Sequence, residues 1–133
     1  MTAPVRVSDP LSVKVELGER SYPIVIGRGQ VLTLGQRVTA LRPRAKAAIV
    51  TDENVARHHL TAAQSALAGA GMNSTCITVP AGEGSKSFAM LERVCETLLE
   101  TRTERGDLIV ALGGGVIGDL AGFAASIVRR GLD

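Results

Sequence analysis

The sequence predicts an α/β fold in which helices cover a mainly parallel sheet, with an N-terminal strand pair added. Three observations lead there. After two opening strands, short apolar runs alternate with stretches of helical periodicity. Hydrophobic residues make up 45% of the 133, yet aromatics are 2% and Trp is absent, so the core must be Val, Ile, Leu and Ala. That composition suits strands buried on both faces. Finally, the last apolar run, residues 108–112, feeds directly into a glycine-rich turn and a helical stretch.

Taken in order, residues 1–10 hold two prolines and small polar residues and read as a flexible arm, leaving 11–133 as one domain. Val13, Val15 and Leu17 alternate with Lys14 and Glu16, the period of a half-buried strand. A turn over 18–21 leads to a second strand at 22–26, where Pro23 indicates a strand start or a sheet edge. Val31, Leu34 and Val38 mark a helix up to about residue 40, and 45–51 is a short buried strand. Asp52, Glu53 and Asn54 offer capping oxygens to a helix running to about 70, ended by Gly69 and Gly71. A strand at 75–79 precedes a loop at 80–84. Ser87 caps the next helix, marked by Met90, Leu91, Val94, Leu98 and Leu99. The strand at 108–112 then opens a final helix to about Arg130.

Composition narrows the function. The formal charge is +2 with signs interspersed and no basic block, which gives no pointer to nucleic acid or a membrane surface. Scarce aromatics argue against base-stacking platforms. Cys76 and Cys95 lack C-x-x-C spacing and read as buried thiols in a reducing compartment. No apolar run is long enough for a bilayer and the first residues have no apolar h-region, so the expected location is cytoplasmic.

Gly113, Gly115 and Gly118 have the G-x-G-x-x-G spacing of a dinucleotide-binding turn, which makes the expected layering Rossmann-like. Residues without a Cβ allow a sharp turn and let a pyrophosphate approach amide groups at a helix N-terminus, where the dipole favours negative charge. Close strand–helix packing without a ligand is the alternative. Asp119, just inside the helix, is either a dipole-compensating residue or an acceptor for a ribose or nicotinamide group. Because its carboxylate repels phosphate, the phosphates belong by residues 114–116. Asp52 and Asn54 follow a strand at its C-terminal end, where ligands of open α/β sheets bind, and helix capping serves equally well as an explanation. Glu83 and Lys86 lie in another loop at that edge and read, on position alone, as solvated charges. The His58–His59 pair points in directions about 100° apart on a helix and reads as solvated surface rather than a metal site. Arg129 and Arg130 either complement the negative end of the last helix or bind a substrate phosphate.

Four segments in order resemble 3-dehydroquinate synthase. They are Leu17-Gly18-Glu19-Arg20-Ser21-Tyr22-Pro23-Ile24, Thr51-Asp52-Glu53-Asn54, Pro80-Ala81-Gly82-Glu83-Gly84-Ser85-Lys86-Ser87, and the run from Gly113 to Ala125 that begins Gly-Gly-Gly-Val-Ile-Gly-Asp. The resemblance implies an NAD-using, metal-dependent carbon–oxygen lyase of the shikimate pathway. Such an enzyme converts 3-deoxy-arabino-heptulosonate 7-phosphate to 3-dehydroquinate and phosphate. It implies NAD contacts from Asp52, Asn54, Glu83, Lys86, Gly114, Gly115, Val116 and Asp119, to which the spacing adds Gly118. It also implies that Arg130 reaches the substrate phosphate of a neighbouring subunit in a homodimer. Family members are more than twice as long. Their zinc or cobalt ligands and most substrate-binding residues come from a helical C-terminal domain. The expectation is therefore a fragment truncated before that domain, with no metal ligands or catalytic residues of its own and no synthase activity alone. Ala81 stands where many relatives carry Asp. The alternatives are the NAD-binding part of another sugar-phosphate cyclase, of an iron-type or glycerol dehydrogenase, or a non-catalytic nucleotide-binding module.

Overall fold

The computed structural model describes residues 9–132. The arm expected over residues 1–10 lies outside the described residues except for Asp9 and Pro10, which lead irregularly into the first strand. That strand, β1 (Leu11–Val15), pairs antiparallel with β2 (Tyr22–Ile26) as a separate two-stranded ribbon. Gly18, at φ 63°, starts the tight turn over Gly18–Arg20. The Ser21 hydroxyl closes it, accepting from the Leu17 N–H at 2.8 Å and donating to the Gly18 carbonyl at 2.7 Å. Leu17 is thus drawn out of the strand that the alternation carries through it. In a ribbon of two strands each has an outer edge, which accommodates the missing N–H of Pro23.

The main sheet has three parallel strands in the order β4-β3-β5, namely Ser74–Val79, Ala47–Asp52 and Leu108–Leu112. The central β3 is buried from Ala47 through Thr51, as its unbroken apolar run requires. Its side chains alternate between two cores. Ala47 and Ile49 meet Ala63, Leu67, Met72 and Leu108 on one face. Ala48 and Val50 meet Ile77, Val79, Val94, Leu98, Ile117 and Leu120 on the other.

The first core is covered by α1 (Leu34–Leu41) and α3 (Thr61–Gly69). These two helices approach closely at Gly35, where an added Cβ would lie 2.0 Å from the Ala66 carbonyl oxygen. The helix expected over 52–70 is helical throughout but not uniform. A short α2 (Glu53–Val55) passes through a π turn, Ala56–Leu60, before α3. Gly71, at φ 77°, ends α3, with its N–H donating to the Ala68 carbonyl at 2.9 Å and that of Met72 to Leu67 at 3.0 Å.

The second core is covered by α4 (Phe88–Glu100) and α5 (Gly115–Ile127). Ser87 caps α4 as expected, its hydroxyl accepting from the Met90 N–H at 3.2 Å. The final helix is shorter than expected, ending at Ile127 rather than near Arg130. Val128 turns to an extended ψ of 133° and stays buried, while the Leu132 N–H folds back to the Ala125 carbonyl at 2.7 Å. Between them Arg129 and Arg130 adopt left-handed backbone, at φ 51° and 65°. The two arginines therefore lie in a 3-10 turn directly after the helix rather than in its last turn.

At the opposite edge of the sheet, the buried Asp107 carboxylate accepts from the Lys46 N–H at 2.9 Å and the Glu104 N–H at 2.8 Å, tying the starts of β3 and β5 together. No helix among the described residues is long and apolar enough to cross a membrane.

Candidate functional site

The strand order sets the position of the site. From β3 the chain crosses by α2 and α3 to β4 on one side. From β4 it crosses by α4 to β5 on the other. Sheet order reverses at the β3–β5 boundary, and in open α/β sheets the crevice at the carboxyl ends of such strands is where ligands bind. Two chain segments leave the sheet there: Asp52 into α2, and the glycine turn into α5. Thr51 and Leu112 form the last pair of the β3–β5 register.

The glycines of the turn do not share one physical reason. None of Gly113, Gly114, Gly115 or Gly118 has a positive φ, so backbone conformation does not demand glycine at these positions. At Gly113 packing does, since a Cβ would sit 2.9 Å from Cβ and Cγ1 of the buried Ile117. At Gly114, Gly115 and Gly118 a Cβ would meet nothing within 4 Å. There the absent side chain leaves open space beside the backbone, a cradle any other residue would begin to fill. Gly114 is the N-cap of α5 and no side chain caps this helix. Its first intrahelical bond runs from the Gly118 N–H to the Gly114 carbonyl at 3.0 Å. The amides of Gly115, Val116 and Ile117 belong to the unsatisfied first turn. By contrast α2 and α4 are capped by Asp52 and Ser87. Open glycines at an uncapped helix start fit the pyrophosphate of a dinucleotide.

The charged residues expected at this edge divide into groups. Asp52 caps α2, one carboxylate oxygen accepting from the Val55 N–H at 2.9 Å. The capping explanation is thus realised, and one oxygen remains for other use. Asn54 is exposed on α2. Glu83 opens the 3-10 turn Glu83–Ser85 after β4. Buried Ser85 donates to the Pro80 carbonyl and pins this loop. Lys86 then reaches across to Asp119, its Nζ 2.7 Å from Oδ2. The Asp119 carboxylate hydrogen-bonds the ammonium and holds its pKa above the ordinary 10.5, with smaller help from the charge of Glu83. Asp119 is the fifth residue of α5, past the first turn, and its carboxylate is turned to Lys86 rather than to the helix amides. Its charge is therefore locally compensated.

Beside this ion pair lies an open groove of about 280 Å³, lined by Phe88, Leu91, Leu120 and Phe123 together with Lys86 and Asp119. Phe88 and Phe123 are exposed within it. Neither stands out in the sequence as a site residue, nor do the hydroxyls of Thr51 and Ser85. For Thr51 the only signal is a polar residue at the end of an apolar run, and Ser85, between Gly84 and Lys86, has none. Arg130 follows the other end of α5, about 20 Å of helix from the glycine turn, and is not brought to this crevice.

His58 and His59 are exposed with ring centroids 6.3 Å apart. Among the described residues, no group of three or more His, Cys, Asp or Glu side chains is placed to hold a metal ion. Cys76 and Cys95 are free, and burial pushes the Cys95 thiol up, away from the reactive thiolate.

Comparison with known proteins gives similarity in both sequence and fold. The family model for the N-terminal part of 3-dehydroquinate synthase matches residues 76–133. The whole chain is 59% identical to 3-dehydroquinate synthase of Nitrobacter winogradskyi over 133 residues, and 59% identical to that of Rhodopseudomonas palustris (strain BisA53). In each case it spans 35% of the relative's length. Among solved structures, 2-deoxy-scyllo-inosose synthase complexed with carbaglucose-6-phosphate, NAD+ and Co2+ aligns with a TM-score of 0.77 at 20% identity, covering 92% of this chain and 33% of that one. The 2-epi-5-epi-valiolone synthase of Streptomyces hygroscopicus, with NAD+ and Zn2+ bound, aligns at 0.61 and 28% identity, covering 70% and 27%. Over its whole length this chain is thus similar to the N-terminal third of 3-dehydroquinate synthases.

Proposed function

We propose that this chain is the NAD-binding portion of a 3-dehydroquinate synthase. The carrying observation is the uncapped start of α5, where Gly114, Gly115 and Gly118 leave space that neither backbone conformation nor packing explains. In this reading the amides of residues 115–117 receive the pyrophosphate. Asp52 and Asn54 accept from and donate to nucleotide hydroxyls across the switch point. Lys86 and Asp119, with Glu83 behind them, bound the nicotinamide side. NAD supplies transient acceptance and return of a hydride. The reaction served is conversion of 3-deoxy-arabino-heptulosonate 7-phosphate to 3-dehydroquinate and phosphate in the cytoplasm. Divalent metal, zinc or cobalt, belongs to parts of the longer relatives that this chain does not span. Arg130 serves the substrate phosphate of a neighbouring subunit in a homodimer.

The test is calorimetric titration of the purified chain with NAD beside a Gly115→Val variant. Saturable binding by the chain, abolished in a folded variant, supports the assignment. Equal binding by both, or none by a folded chain, overturns the glycine turn as a self-sufficient NAD site. With substrate, NAD and zinc or cobalt added, the chain alone is expected to release no phosphate.

A further inference from the structure

We propose that Thr51 is a positioning residue that aims the glycine turn through the Leu112 carbonyl, an inference resting on the NAD reading above. Thr51 is fully buried, and its Oγ1 donates to the Leu112 carbonyl at 2.7 Å. The bond crosses from β3 to β5 at their last registered pair. Beyond that pair the strands separate. β3 continues one residue to Asp52, where α2 begins, and β5 leaves the sheet through Gly113. The Leu112 carbonyl thus belongs to the last rung of the β3–β5 ladder, and the Thr51 hydroxyl is a further, side-chain donor to it.

The consequence runs through covalent geometry. The peptide joining Leu112 to Gly113 is planar, so orienting the carbonyl also orients the Gly113 N–H and the exit direction of the chain. Two residues later Gly114 is the N-cap of α5. On the other side Gly113 runs so close to Ile117 that an added Cβ would fall 2.9 Å from the Ile117 Cβ. The turn is therefore fixed at its strand end by Thr51 and at its helix end by Ile117, while residues 114 and 115 between them carry no side chain.

Packing alone does not require a hydroxyl here. The four preceding residues of β3 are Ala47, Ala48, Ile49 and Val50, all buried, and Val has the shape and strand preference to continue them. A buried hydroxyl costs free energy unless it is hydrogen-bonded. Its partner here is the residue at which β5 turns toward the site.

The experiment compares Thr51→Val, which keeps the shape and removes the hydroxyl, with Thr51→Ser, which keeps the hydroxyl and removes the methyl. NAD affinity is measured by calorimetry, and backbone order at residues 113–117 by heteronuclear 15N relaxation without NAD. Thr51→Val is expected to loosen residues 113–117 while Ile109 and Val110 stay rigid, and to weaken NAD binding about tenfold. Thr51→Ser is expected to keep the turn ordered and its affinity within about twofold of the parent. A purely structural role reverses this order or makes the variants alike, and either result overturns the proposal. If the parent does not bind NAD, the NAD reading fails, and the relaxation comparison still decides whether Thr51 orders the turn. If the parent and Thr51→Val bind NAD equally, Thr51 is not a positioning residue and the NAD reading stands. Should Thr51→Val not fold, Thr51→Ala against Thr51→Ser isolates the same hydroxyl.

Discussion

The Lys86 ammonium lies 2.7 Å from the Asp119 carboxylate, joining the loop after β4 to the second turn of α5. Both side chains are more than half exposed, at 51% and 63%. Ion pairs so exposed contribute little to stability. The pair is better understood as setting the electrostatics of the crevice than as holding the fold. Lys86→Met and Asp119→Asn are each expected to leave the thermal midpoint nearly unchanged while weakening NAD binding. The pH sign follows from the shift. Asp119 raises the Lys86 pKa, so the pair's contribution is fully present below 10.5 and is lost as pH rises through the raised value. A titration followed at the Lys86 15Nζ resonance checks this, and loss of the pair near neutral pH contradicts it.

Gly118 and Gly113 make opposite predictions from one motif. Gly118 lies inside α5 with ordinary helical backbone, and a methyl added there would meet nothing within 4 Å. Gly118→Ala is therefore expected to stabilise the chain by about 0.5–1 kcal/mol through helix propensity, yet to weaken NAD binding by filling the cradle. Gly113→Ala forces Ile117 aside and is expected to destabilise by roughly 1–3 kcal/mol. Denaturant unfolding beside NAD titration separates them. Gain of both stability and affinity in Gly118→Ala contradicts a ligand role for that glycine.

This contrast also shows how far the sequence is legible. The strand–helix alternation, the Ser87 cap and the β5–turn–α5 unit follow from local periodicity and capping chemistry, and they stand in the structure. The spacing of Gly113, Gly115 and Gly118 locates the turn. It offers sharp turning, approach of a pyrophosphate or close strand–helix packing as reasons for the glycines; their φ values are ordinary, packing accounts for Gly113, and the others border open space. Long-range contacts leave no local mark. Lys86 and Asp119 are separated by a helix and a strand, and Thr51 meets Leu112 only because β3 and β5 become neighbours in the sheet. The end of α5 escapes local periodicity because the demand to bury Val128 and return Leu132 to Ala125 is tertiary.

Gly35 sets the spacing of α1 and α3. Its Cβ position lies 2.0 Å from the Ala66 carbonyl oxygen and 2.9 Å from the Ala70 Cβ. The first obstacle is backbone, which cannot rotate away as a flexible side chain would. Gly35→Ala is expected to cost roughly 3 kcal/mol and to lower the denaturant midpoint. Because α1 and α3 cover the sheet face carrying Ile49 and Leu67, far from the glycine turn's own packing against Ile117, the folded fraction should retain its NAD affinity.

Arg130 stands in left-handed backbone at φ 65°, directly after Arg129 at φ 51°. For a residue with a Cβ this conformation costs about 1–2 kcal/mol, and glycine avoids that cost. Neither residue is buried, so core packing of their side chains does not explain why arginine is found in these positions. Arg129→Gly and Arg130→Gly are each expected to stabilise the chain by up to about 1 kcal/mol, with the flexibility that glycine adds to the unfolded chain offsetting part of the relief. If Arg130 serves a substrate phosphate, its substitution in a family member containing the matched region should raise KM for the sugar phosphate without changing NAD affinity. Arg129→Gly in the same protein tests whether charge at this turn or the identity of residue 130 is responsible. Equal kinetic losses for both variants point to a shared contribution of the turn's charge, and unchanged kinetics for both reject a phosphate role for Arg130.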